Sequence, residues 1–121
     1  MRQRDESRLN DDHYTEHDWK LFRSRIGGWQ EHYMDKLNDE YAELLRGEGA
    51  PSEKFWALEK RIREDKRAAG VRVEMRRSAL ILNMASLYAE GAIADEDLEG
   101  FSDDLTETLR AMLSSTSPSL R

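Results

Sequence analysis

Apolar and aromatic residues in the first third of the chain recur at helical spacing. Trp19, Phe22, Ile26, Trp29, Tyr33, Leu37, Tyr41 and Leu44 stand three or four positions apart and lay one stripe along a helix. Just ahead of the stripe, Thr15-Glu16-His17-Asp18 places a capping hydroxyl three residues before an acid. The acid is Asp in place of Glu or Gln, so the capping box is expected to be imperfect. Gly27-Gly28 falls inside the stripe, and each glycine costs about 1 kcal/mol relative to alanine in a helix interior. Because the stripe resumes in phase, the pattern predicts a kink there in preference to a turn.

Gly47-Glu48-Gly49-Ala50-Pro51-Ser52 combines helix-stop and helix-start chemistry, with Ser52 as a candidate cap. A second helix is predicted over about residues 52–68, with Phe55, Leu58 and Ile62 on one face and Trp56 beside them. Its exposed side carries the pairs Glu59/Arg63 and Lys60/Glu64 at i,i+4, each worth about 0.3–0.5 kcal/mol. After Gly70 a third helix is predicted over about residues 72–90. It aligns Val73, Leu80, Met84 and Leu87, with Ile81, Ala85 and Tyr88 adjacent, and should be the most buried of the set. Gly91 closes it. Leu98, Phe101, Leu105, Leu109 and Met112 then mark a fourth helix, whose opening acids Asp95-Glu96-Asp97 suit the helix dipole. Gly100 and Ser102-Asp103 allow two short helices in its place. The pattern therefore predicts an all-α, bundle-like single domain of three to four main helices with a long kinked first helix. The helical domain is expected over 13–113, between a disordered leader, 1–12, and a disordered Ser-rich tail, 114–121.

Composition narrows the class. At 121 residues the chain can bury one modest core, and with 36% charged residues, two prolines and seven glycines it favours helices over turn-rich β structure. Cysteine is absent, which excludes a disulfide framework, a thiol nucleophile and a Cys-type zinc site and fits a reducing cytoplasm. No run approaches the roughly 18 apolar residues of a membrane span, and the N-terminus lacks an apolar signal core. A soluble, cytoplasmic protein is expected. The net charge of −6 opposes nonspecific nucleic-acid binding by the whole molecule.

The charges are nevertheless sorted along the chain. Residues 60–77 hold eight basic side chains against three acids, whereas 90–107 hold eight acids and no Lys or Arg. Two helices could attract each other within the fold, or two faces could be offered to different partners. The candidate binding residues are Arg61, Arg67, Arg72, Arg76 and Arg77. A helix-turn-helix reading around Gly91 fails on sign, because the helix that would enter the major groove is the acidic one. That acidic helix could instead mimic phosphates towards a nucleic-acid-binding protein, in the manner of an anti-restriction or anti-CRISPR inhibitor.

Catalytic chemistry finds little footing. His13-Tyr14-Thr15-Glu16-His17 matches the H-x-x-E-H zinc pattern, yet Thr15 reads as a helix cap between the two histidines, the match abuts the leader, and the chain is too small for a typical peptidase scaffold. The acids from Asp95 to Asp104 lack calcium-loop spacing, and Leu98 and Phe101 occupy core positions among them. Trp19, Trp29, Trp56, Tyr33 and Tyr41 could form a base-stacking platform, but their helical spacing favours core packing. No phosphate loop and no nucleophile–base constellation occurs. The sequence points away from an enzyme and calls for no metal or cofactor.

Three segments carry a resemblance: Trp29-Gln30-x-x-Tyr33-Met34-x-x-Leu37, Pro51-Ser52-Glu53-Lys54-Phe55-Trp56-x-Leu58-Glu59-Lys60-Arg61-Ile62, and Asp97-Leu98-Glu99-Gly100-Phe101-Ser102-x-x-Leu105. Together they resemble small uncharacterised all-helical proteins of gut bacteria and their mobile elements, some labelled multidrug transporters. The resemblance supplies no catalytic residues, and the transporter label conflicts with a chain that has no segment able to span a bilayer. The expected function is a small soluble protein-interaction module, regulatory or inhibitory towards a host or mobile-element protein, with homo-oligomerisation possible. Its alternatives are nucleic-acid binding through the basic block 60–77 and phosphate mimicry by the acidic helix.

Overall fold

A computed structural model describes residues 12–116 and shows an all-α domain without strands among them. Four α-helices lie within that range: α1, Glu16–Arg46; α2, Pro51–Asp65; α3, Leu80–Ala89; and α4, Asp103–Thr116. Single 3-10 turns, Arg77–Ala79 and Asp95–Leu98, precede α3 and α4. No helix among the described residues is long and apolar enough to cross a membrane.

The start of α1 is better capped than the sequence suggested. Thr15 Oγ1 accepts from Asp18 N at 3.0 Å while Asp18 Oδ2 accepts from Thr15 N at 3.0 Å, so the box is complete. Asp suffices because its carboxylate is fully buried and is held from a second side. Ser102 donates to it through its backbone N at 2.8 Å and its hydroxyl at 2.6 Å. The beginning of α1 and the cap of α4 thus share one carboxylate, and Ser102 Oγ in turn accepts from Leu105 N. The chain does not turn at Gly27-Gly28, as the in-phase stripe predicted, since α1 is helical throughout. Phe22 and Ile26 before the glycines and Trp29 after them all pack on one core, which holds the weak turn in register.

That core is built by Trp19, Phe22 and Ile26 of α1, by Leu80, Met84 and Leu87 of α3, and by Leu98, Phe101, Leu105 and Leu109 from the acidic stretch and α4. The expectation for α3 holds in its buried face, although Leu82 is left 62% exposed. Arg25 ties α1 to the loop before α4, donating to the carbonyls of Asp97 and Glu99 at 3.1 and 2.8 Å and lying over the Phe101 ring.

One helix boundary is corrected. The third helix does not begin near Arg72: residues 72–76 are non-helical, and Val73 packs on the core from that segment. Tertiary contacts override local propensity here. The Glu90 carboxylate takes the amides of Ala69 and Gly70 at 3.0 Å each, Gln30 donates to Ala69 O, and Asn83 donates to Glu74 O. The Tyr33 ring closes on Gly70 so tightly that a Cβ there would lie 2.3 Å from it. Further on, the divided form of the fourth helix that Gly100 and Ser102-Asp103 allowed is the one present, as the 3-10 turn and α4 with Gly100 at φ +96 between them. Helix α4 runs to Thr116, into the tail expected from 114. The rest of the tail, and the leader apart from Asp12, lie outside the described residues.

Candidate protein-interaction surface

Helix α2 begins at Pro51, with Glu53 Oε1 accepting from Ala50 N at 3.1 Å, so the cap is Ala50 and not Ser52. None of its residues is buried, and none joins the core. This corrects the expectation of core packing for Trp56 and leaves the face of Phe55, Leu58 and Ile62 outside the core. Phe55 is 60% exposed, Trp56 62% and Ile62 39%. Phe55 and Trp56 pack edge to face with ring centroids 4.8 Å apart. A groove of about 490 Å³ follows the helix, lined by Phe55, Leu58, Glu59, Ile62, Arg63 and Lys66. Ile62 and Lys66 also line a second hollow of about 200 Å³ that reaches Met34, Leu37 and Tyr41 of α1 and Val71. The two hollows form one apolar surface across the α1–α2 seam.

Polar contacts fix α2 on α1. Arg61 reaches Glu40 at 2.8 Å and Asp65 at 3.3 Å, with its guanidinium over the Tyr41 ring. The Tyr41 hydroxyl donates to Asp65 at 2.5 Å. Burial first and that hydrogen bond second push its pKa up to about 12. The other acids of α2 are also engaged, Glu53 by the Ala50 amide, Glu59 by Arg63 and Glu64 by Lys60. No described acid pairs with Lys54, Lys66 or Arg67. The free charges of α2 and of the turn that follows it, Lys54, Lys66 and Arg67, are therefore cationic.

The five arginines singled out from the sequence do not form one face. Arg61 belongs to the α1–α2 clasp. Arg76 pairs with Glu74 at 2.9 Å, and Arg77 pairs with Glu16 at 2.8 Å while lying over Trp19. Its hydrogen bond holds the Glu16 carboxyl below its usual pKa. Arg67 and Arg72 remain unpaired among the described residues and line a cleft of about 360 Å³ with Glu74, Asn83, Ser86 and Glu90. The acidic stretch is partly occupied as well: Asp97 accepts from Ala94 N, Asp95 from the Tyr88 hydroxyl, and Asp104 contacts His13. Among the described residues, Glu90 joins it to the basic block by two hydrogen bonds, to the amides of Ala69 and Gly70. Of the zinc-like pattern, Glu16 is taken by Arg77, and no group of three metal-ligating side chains exists among the described residues.

Sequence reasoning missed the exposure of α2, though one signal pointed to it. Phe55 and Trp56 are consecutive and so diverge by about 100° around a helix, and Glu59 interrupts the stripe, a poor fit to a buried face. Comparison with protein-family models, with curated proteins and with solved structures returns no match. The reading of the surface rests on its own geometry.

Proposed function

We propose that the protein is a small cytoplasmic protein-interaction module that docks a partner protein on α2, in regulatory or inhibitory work on a host or mobile-element protein. One observation carries the reading: Phe55, Trp56 and Ile62 stand in solvent on a helix that contributes nothing to the core. Covering a large apolar side chain contributes about 1.5–3 kcal/mol, and exposed aromatic anchors are the side chains on which protein interfaces concentrate their affinity. The free cations beside the groove add steering without supplying most of the affinity.

Affinity capture from native cell extract with the wild-type chain and with F55A/W56A, each with and without nuclease, tests this. A protein partner lost with the double substitution and indifferent to nuclease is the expected outcome. A partner retained by F55A/W56A would overturn the assignment to α2. Direct nucleic-acid binding is the second reading, favoured by the unpaired Arg67 and Arg72. It demands a gel shift that weakens steeply with salt and disappears in R67E/R72E.

A further inference from the structure

The surface along α2 also constrains what can cover it. Its central row, Phe55, Glu59, Ile62 and Lys66, follows i, i+4, i+7 and i+11, the spacing by which one helix packs along another. Fifteen residues of α2 give a seam of about 22 Å, four turns of a partner helix.

A second copy fits this row poorly in either direction. An antiparallel pairing about its midpoint sets each Phe55 against the other copy's Lys66 and each Ile62 against the other copy's Glu59, apolar against charged, and the shifted register that brings Phe55 onto Ile62 sets Lys54 against Arg63 and Glu53 against Glu64, like against like. A parallel pairing aligns Arg63 with Arg63 and Lys66 with Lys66, like against like. Charge then selects the chemistry of another occupant. Every carboxylate of α2 is engaged within the chain, Glu53 by the Ala50 amide, Glu59 by Arg63, Glu64 by Lys60 and Asp65 by Arg61 and Tyr41. Lys54, Lys66 and Arg67 are left without such partners. A complementary helix carries apolar residues towards Phe55, Leu58 and Ile62, and carboxylates towards Lys66 and Arg67.

We infer that α2 is the docking site of an acidic amphipathic helix of a partner protein. This rests on the assignment of docking to α2 and adds the chemistry of the partner. It differs from nucleic-acid binding in requiring the apolar row.

The probes are three synthetic helical peptides with leucines at i, i+4, i+7 and i+11 and net negative, neutral or net positive flanks, titrated calorimetrically into the full chain. The negative peptide is expected to bind at least about tenfold more tightly than the positive one, an advantage that shrinks as salt rises. F55A/I62A should weaken it by about tenfold or more, and K66E/R67E should reverse the order of the peptides. All four positions are exposed, and circular dichroism on each variant checks that the fold is kept. Equal or reversed ranking with loss in F55A/I62A overturns the acidic partner and leaves docking on α2 standing. Binding of no peptide, or binding indifferent to Phe55 and Ile62, overturns both. A dimer in sedimentation that F55A/I62A dissociates makes a second copy the occupant and overturns the inference.

Discussion

Replacing Asp18 by alanine is the most severe single perturbation that the fold offers outside its apolar core. The side chain is fully buried and accepts from Thr15 N, Ser102 N and Ser102 Oγ at 3.0, 2.8 and 2.6 Å. Alanine leaves two backbone amides without an acceptor, and the hydroxyl can rotate to find another only at the expense of its own capping role. An unmet buried donor costs about 1–3 kcal/mol, and a lost helix cap about 1 kcal/mol. Two stranded amides, a weakened hydroxyl and a small cavity together give about 3–5 kcal/mol. Against the usual 5–15 kcal/mol of a domain, that is a large fraction of the stability. Urea unfolding of D18A, followed by tryptophan fluorescence and by circular dichroism, should show the midpoint falling with an unchanged slope. S102A removes one of the three donors and should cost about 1 kcal/mol. In the double-mutant cycle D18A/S102A should cost less than the sum of its parts, because both changes break the same contact. A loss below about 1 kcal/mol for D18A would refute the claim that this carboxylate joins the two helix starts.

Other substitutions probe α1 and its neighbours. Gly27→Ala and Gly28→Ala should each stabilise the protein by up to about 1 kcal/mol in thermal or urea unfolding, since neither glycine has a positive φ and a Cβ at either meets nothing within 4 Å. Gly70→Ala should destabilise by about 1–3 kcal/mol, because its methyl would collide with the Tyr33 ring, and the added substitution Tyr33→Leu should relieve part of that loss. Absorbance titration should find Tyr41 ionising near pH 12, with Asp65→Asn lowering that value. The folded pKa lies above the ordinary 10, so Tyr41 contributes stability that is fully present below pH 10 and is lost as pH rises through about 12; a melting temperature insensitive to Tyr41→Phe across that window would contradict this.

Much of the architecture was legible because helical stripes and caps are local signals. Trp19, Phe22 and Ile26, and later Leu80, Met84 and Leu87, announced their buried faces by spacing alone, and Thr15 announced the start of α1. What stayed hidden depends on partners distant in the chain. Residues 72–76 have no helix breaker, and it is Glu90 on the 69–70 amides and Asn83 on Glu74 O that draw them out of helical form. The basic block looked continuous because nothing local shows that Arg61 will meet Glu40 or that Arg77 will meet Glu16. Periodicity also cannot say whether an apolar face meets the chain's own core or another molecule, which is why Trp56 of α2 was expected in the core.

The separation of α2 from the core bears on how such a protein can change over generations. Phe55, Trp56, Ile62 and Lys66 can be exchanged with little effect on a fold that is kept by Asp18, Leu80, Met84 and Leu105. Arg61 and Asp65 on α2, with Tyr41 and Glu40 on α1, form the polar clasp that holds the helix in place. Selection can therefore retune what the protein recognises, one exposed residue at a time, while its ability to fold is left untouched.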